Sequence, residues 1–295
     1  MKKILVFLFT LLLFLIFINF SIGEIVQAKS PFEIDVSLSY LHSSNNRLAV
    51  SGYSVIEVLN VGKFEVRKIN RDILSTNIRL RHTTPETSVE LIIPYTFRRD
   101  EIIKYADVDS DTNEPTREVL SGNGLGDILL NIQTDIKYGD VHLQNTQVNL
   151  GLKTSTGKWY DPKSGMSFTS GHYGFKLGIS HMIPIDPIVL FGSTNYFWNI
   201  KQYNVDPGDS IQYSMGVAYA LTQNFSVNAR FEHTLTGSTV NNGRTVIESS
   251  SNSATLYMGG SYVSQKGVPF DVIIGTGLTE DAADFSFQLS RPFYF

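Results

Sequence analysis

Cysteine is absent from the 295 residues. That excludes a disulfide framework, thiolate metal ligands and a thiol nucleophile. Charge is scarce, with Asp, Glu, Lys and Arg together at 18% against a usual quarter. It is also nearly balanced at a formal −4, so the basic footprint of a nucleic-acid binder is missing. The histidines (His42, His82, His142, His172, His181, His233) are scattered without ligand spacing, which argues against a zinc site. After residue 30 there is no long apolar run. A membrane helix needs about twenty apolar residues, and the later stretches are only a few residues long. If the mature chain meets a membrane, it must do so with strands.

What is present begins at the N-terminus. Lys2 and Lys3 precede an unbroken apolar run from Ile4 to Ile18, followed by small residues. Basic end, apolar core and small-residue end are the order of a secretory signal peptide. Val26-Gln27-Ala28 offers a cleavage site before Lys29, and Ser21-Ile22-Gly23 offers another. An uncleaved anchor is the alternative, for which the run is short. The expected division is a signal over residues 1–28 and an exported body over 29–295.

From Phe32 onward the dominant period is two. Phe32, Ile34, Val36, Leu38 and Tyr40 alternate with Glu33, Asp35, Ser37 and Ser39. The pattern returns at Leu74–Arg81, Val89–Arg98, Ile128–Lys137, Phe225–Thr234 and Phe285–Ser290. Alternation places one set on each face of a strand. A soluble sandwich alternates too, but these segments run about ten to fourteen residues, the length of tilted membrane-crossing strands rather than the five or six of soluble sheets. Short turns at Thr84-Pro85-Glu86, Tyr138-Gly139-Asp140, Pro184-Ile185-Asp186, Thr222-Gln223-Asn224 and Lys266-Gly267 alternate with long polar loops at 99–123, 154–170, 201–209 and 237–251. Short periplasmic turns and long outer loops mark outer-membrane barrels.

The expected architecture is all-β, a closed antiparallel transmembrane β-barrel of about twelve strands with both ends on the periplasmic side. Its strands fall at 32–42, 68–83, 87–98, 124–137, 142–153, 171–183, 187–200, 210–221, 224–236, 252–264, 269–279 and 284–295. Residues 43–67, with Val55, Ile56, Val58, Leu59 and Val61, read as a long, partly structured outer loop or a plug insertion. The chain stops at Phe293-Tyr294-Phe295, and an aromatic end on an alternating strand resembles the signal read by the barrel-assembly machinery. Pro292 cannot donate to a ladder and marks a local break near the rim. Tyr95, Tyr138, Trp159, Tyr160, Tyr196, Trp198, Tyr213 and Tyr262 lie near strand ends, as girdle aromatics do.

Three segments together resemble a known family. Arg71-Asp72-Ile73-Leu74-Ser75-Thr76-Asn77-Ile78-Arg79-Leu80-Arg81-His82, Pro94-Tyr95-Thr96-Phe97-Arg98 and Gly124-Leu125-Gly126-Asp127-Ile128 are similar to the outer-membrane barrels described as the MetA-pathway of phenol degradation, grouped with porin-like barrels. The resemblance runs over roughly residues 32–295. It implies a membrane barrel of transporter type and brings no catalytic residue.

If the apolar positions face lipid, the other face carries the chemistry. It collects Arg79, Arg81, Arg98, Lys137, Lys153, Lys176 and Arg230 beside Glu90, Asp127, Asp135, Glu232 and Asp271. These are the expected lumen-lining residues, with a slight basic excess. The expected function is a channel for passive uptake of small solutes, mildly anion-preferring. The first alternative is a packed barrel serving as an interaction platform. The second is a phospholipase-type enzyme, for which His42 and Ser44 share one face of a strand. Their Ser-Ser-Asn-Asn context reads as a turn, so no enzyme is expected. The acidic stretch Asp107–Glu118 mimics a calcium loop, but Thr112 stands where glycine is needed, so a solvated loop is preferred. No cofactor or metal is expected, and the partners are outer-membrane lipid, the assembly machinery and a small solute.

Overall fold

The computed structural model describes residues 31–45, 67–104, 116–138, 141–157, 169–202, 204–246, 249–264 and 268–294. The segment 1–28 expected to be a signal, most of 43–67 and Phe295 lie outside them, as do Trp159, Tyr160 and the turn at Lys266-Gly267.

The described residues form strands and no helix. The wall is made of β1 (Phe32–Asn45), β2 (Arg67–Thr83), β3 (Thr87–Lys104), β4 (Thr116–Leu125), β5 (Leu129–Tyr138), β6 (Val141–Lys153), β7 (Gly174–Ile185), β8 (Ile188–Asn199), β10 (Ser210–Thr222), β11 (Phe225–Thr236), β14 (Ser251–Val263), β15 (Pro269–Gly277) and β16 (Phe285–Tyr294). Short strands β9 (Val205–Asp206), β12 (Val240–Asn241) and β13 (Arg244–Thr245) lie in the loops. Each wall strand pairs antiparallel with its neighbours, and β1 joins β16 to close the ring, with Glu33 opposite Tyr294. β4 and β5 share the edge of β3, which turns from Leu129 opposite Ile92 to Leu125 opposite Tyr95. Counted as one interrupted strand, they make the wall a closed barrel of twelve. An even number returns the chain to the rim where it started.

The hydrophobic distribution is inside out. Along β7, Phe175, Leu177 and Ile179 are exposed while Lys176, Gly178 and Ser180 are half-buried. Leu177, Met215 and Met258 each keep about 60% of their surface open, and Leu150, Val217, Leu190 and Ile274 lie exposed with them. Polar residues take the covered positions instead, including Asp35, Ser37, Asn149, Asn195 and Ser290. A belt of open apolar side chains around a polar interior fits lipid outside and nothing else. Tyr95, Tyr196, Trp198, Tyr213 and Tyr262 stand exposed near the belt's edges.

Three expectations are corrected. Residues 99–123 are not all loop, because β3 runs on to Lys104 and returns as β4 from Thr116, with Arg99 opposite Ser121. The 18 residues of β3, at about 3.4 Å each, make roughly 60 Å of strand. That length exceeds an apolar band about 25 Å tall, so the β3–β4 hairpin rises beyond the bilayer. The strand expected at 124–137 is broken at Gly126-Asp127-Ile128. The loop 237–251 contains a hairpin, β12 to β13, turned on Asn242 and Gly243 with φ of +49° and +78°. Positive φ at both central positions is the twist a two-residue hairpin needs, and Asn-Gly supplies it. β9 adds to β12, tying two outer loops together.

Candidate functional site on the inner face

The first cluster lies on β1, β2 and β3. Register places Asp35 opposite Arg79, and Glu33 opposite Arg81, which in turn faces Glu90. Arg79 Nη1 donates to Asp35 at 2.9 Å, and its guanidinium also lies 2.9 Å from Glu90. Arg81 donates to Glu90 at 2.9 Å and stands 3.6 Å from Glu33. Asn131 Nδ2 donates to the other oxygen of Glu90 at 3.2 Å. Two arginines between three carboxylates make a ladder in which each charge has a partner. Nearer the outer end, Arg71 binds Asp100 through two parallel N–H···O bonds of 2.9 and 2.8 Å, and Arg98 holds the same carboxylate.

The second cluster is the strand break. Gly126 N–H donates to Pro94 O at 2.9 Å, and Ile128 N–H finds the hydroxyls of Thr156 and Thr154 at 2.9 and 3.1 Å. Asp127 is buried and accepts from Gly157 N–H, Gly171 N–H and the Ser170 hydroxyl at 3.1, 3.2 and 3.0 Å. A carboxylate here satisfies backbone donors that a neighbouring strand would otherwise take. Gly157 must be glycine, because a Cβ would come within 2.8 Å of the Gly126 backbone. Lys153 Nζ donates to Ser170 and Asn199 at 2.7 and 2.9 Å. His172 is buried beside them, its Nδ1 on Ser170 O, and burial holds its pKa below the ordinary value.

The other wall is mostly uncharged. Ser193 and Ser214 share a 2.8 Å hydrogen bond between β8 and β10, and Asn149 and Asn195 are buried on β6 and β8. Asp135 accepts from Gln147 at 3.0 Å, and Asp271 from Ser290 at 3.3 Å. Arg230 lies with its guanidinium 4.7 Å from the ring centre of Tyr257, and 3.8 Å from Glu232. Lys176 Nζ sits 5.8 Å from the ring centre of Phe197. Lys137 lies on β5 opposite His142, with its side chain outside what is described.

The expected residues therefore gather in three places. Arg79, Arg81 and Glu90 meet, as do Asp127 and Lys153, and Arg230 and Glu232. Arg98 joins Asp100 rather than any of the others. Sequence reading missed Glu33, Asp35, Arg71 and Asp100. Parity carried the signal for the first two, since both alternate with Ile34 and Val36. Asp100 was hidden because 99–123 reads as loop. The expected slight basic excess also disappears. The described inner positions hold Arg71, Arg79, Arg81, Arg98, Lys153, Lys176 and Arg230 against Glu33, Asp35, Glu90, Asp100, Asp127, Asp135, Glu232 and Asp271.

His42 and Ser44 lie on the opposite, outer face. His42 Nδ1 is 2.9 Å from Asp72 Oδ1, and Tyr40 donates to the same oxygen at 2.7 Å. The Ser44 hydroxyl donates to Asn70 at 2.9 Å, so its proton is committed to an amide and not to the imidazole. Among the described residues no cluster of His, Asp and Glu has the form of a metal site. Residues 107–115 of the acidic loop lie outside them, and Glu118 stands on β4.

Residues 58–293 match the family described as "Putative MetA-pathway of phenol degradation". The chain belongs to this family. Its barrel is also similar to the COG4313 outer membrane channel from Pseudomonas putida F1, at 14% identity over 92% of this chain and 97% of that one, with a TM-score of 0.63. The toluene transporter TodX of Pseudomonas putida matches at 9% identity over 90% of this chain and 88% of that one, with a TM-score of 0.47. A Pseudomonas aeruginosa FadL homologue matches at 8% identity over 90% of each chain, with a TM-score of 0.45. The closed wall and its apolar belt make this family member an outer-membrane β-barrel.

Proposed function

We propose that the barrel is a passive channel for uptake of small solutes, slightly favouring anions. The observation that carries this reading is the polar inner face of a twelve-strand wall, with paired charges on β1–β3 facing a side of serine, asparagine and glycine. A barrel of this size stands between small packed barrels and wide porins, so a narrow wet path suits it. The anion preference rests on Lys153 and Lys176, for which no ion pair is formed among the described residues. Planar-bilayer recording of the refolded protein tests the reading. Discrete conductance steps in potassium chloride are expected, from protein whose heat-modifiable migration shows it folded.

One observation favours a second reading. Arg71, Arg98, Asp100, Asn149 and Asn195 are each at most 5% exposed, as they would be in a filled interior serving as a platform for the outer loops. Folded protein with no conductance at all would favour that alternative.

A further inference from the structure

A single rung of the inner wall is built around Arg230. Cross-strand register runs from Phe191 on β8 to Gly216 on β10, Arg230 on β11, Tyr257 on β14 and Gly275 on β15. Both aromatic rings lie over glycines. A Cβ on Gly216 would sit 2.5 Å from Phe191 Cζ, and one on Gly275 would sit 2.7 Å from two ring carbons of Tyr257. Any larger residue at either place would push its ring toward the axis. The rings are instead laid along the wall, one on each side of the arginine.

The arginine itself is braced and only partly used. Its guanidinium stands 4.7 Å from the Tyr257 ring centre, a cation–π distance that fixes its plane. Glu232 is 3.8 Å away, too far for a hydrogen bond. Arg230 Nε is buried with no hydrogen-bond partner among the described residues. The side chain as a whole is 36% exposed, so its outer nitrogens remain within reach. A rigid fork of donors without a bound acceptor, between two flat apolar surfaces, complements one class of molecule. The fork suits a carboxylate, which takes two parallel N–H bonds, and the rings suit a planar apolar body beside it.

We infer that Arg230, Phe191 and Tyr257 form a binding station for small aromatic carboxylates inside the barrel. The station deepens the channel reading by naming a solute class, and it rests on the inner face being open to solutes. Glu232 sets its strength, because its nearby negative charge keeps the hold on a carboxylate weak enough for release, as a transport path requires.

Calorimetric titration of the refolded barrel in detergent needs no conduction and tests the station directly. The probes are benzoate, cyclohexanecarboxylate and benzyl alcohol. Benzoate is expected to bind at least ten-fold more tightly than benzyl alcohol, and several-fold more tightly than cyclohexanecarboxylate. Arg230→Gln should erase the first difference and Tyr257→Leu the second, while Arg230→Lys should restore only part of the first. Glu232→Gln should tighten benzoate several-fold. Equal binding of all three probes, absence of benzoate binding, or unchanged benzoate affinity in folded Arg230→Gln protein would each overturn the inference. Potassium chloride conductance of the same preparation separates the two readings. Conduction without benzoate binding removes the station alone, and binding without conduction removes the channel alone.

Discussion

Arg71 on β2 and Asp100 on β3 grip each other through two parallel hydrogen bonds, and the same carboxylate also holds Arg98 two residues along its own strand. All three are nearly closed to solvent, with Asp100 only 2% exposed. Removing one partner of a buried pair leaves charge uncompensated, a cost of about 3–5 kcal/mol. Here the loss would leave two guanidinium groups side by side. Asp100→Ala should therefore lower the urea midpoint of the refolded barrel strongly, whereas adding Arg71→Met and Arg98→Met to it should recover much of the loss. An unchanged midpoint in the single variant would mean that Asp100 does not organise the pair.

Face assignment is testable by labelling. Cysteines at Arg79, Arg81 and Glu90 should react with small charged thiol reagents in the folded barrel. Those at Leu80 and Leu91 should react poorly and be reached from lipid instead. A shift of one residue in register exchanges every face, so the reverse pattern would overturn the assignment throughout β2 and β3.

Burial holds the pKa of His172 below its ordinary value near 6.5. The unfolded chain therefore binds a proton that the folded loop resists. Stability from neutral His172 is full above pH 6.5 and declines as acid protonates the unfolded state below it. Proteolysis within the 154–173 connection should speed up between pH 7.5 and pH 5. His172→Phe should flatten that dependence, and equal acid sensitivity in the variant would assign it to another group.

Assembly gives a separate test. Deleting Phe295, or exchanging it for a charged residue, should reduce insertion and leave export intact, with degradation of periplasmic protein. Normal outer-membrane levels would remove the terminal aromatic as the signal we propose the assembly machinery reads.

The strands were legible because lipid on one side and polar groups on the other force a period of two. Phe175 to Ile179 show it in sequence and in exposure alike. Legibility failed where that contrast ends. Above the bilayer polar and apolar residues fall on both faces of β3 and β4, as in the runs Arg98-Arg99-Asp100-Glu101 and Ile102-Ile103, so no alternation shows there. β12 and β13 are two residues each, too short for a period, although Asn242-Gly243 could have suggested their turn. The break at Asp127 was seen only as a glycine-rich step, because nothing local in sequence says that Gly157 and Gly171 return to it. The rung around Arg230 was hidden for a related reason. Its members come from β8, β10, β11, β14 and β15, and only register brings Phe191 and Tyr257 to either side of one side chain.

Selectivity is the strictest test of the proposed channel. The carboxylates Glu33, Asp35 and Glu90 offset Arg79 and Arg81 within one ladder with one carboxylate over, and Asp100 is shared by Arg71 and Arg98. Lys153 and Lys176 remain as cations without an ion pair among the described residues, while Asp127, Asp135 and Asp271 are held by neutral partners, Gly157, Gly171 and Ser170 for the first and Gln147 and Ser290 for the others. Charges in a narrow low-dielectric path act well beyond their contacts, so these leftovers nearly cancel and the expected anion preference is small. In a potassium chloride gradient the reversal potential should lean slightly toward chloride. Lys153→Gln with Lys176→Gln should bring it to zero or beyond. Arg79→Glu with Arg81→Glu would gather five carboxylates on one stretch of wall and should turn the channel clearly cation-selective, with some loss of stability from their repulsion. A conducting pore whose reversal potential ignored both double variants would mean that neither wall borders the path ions take.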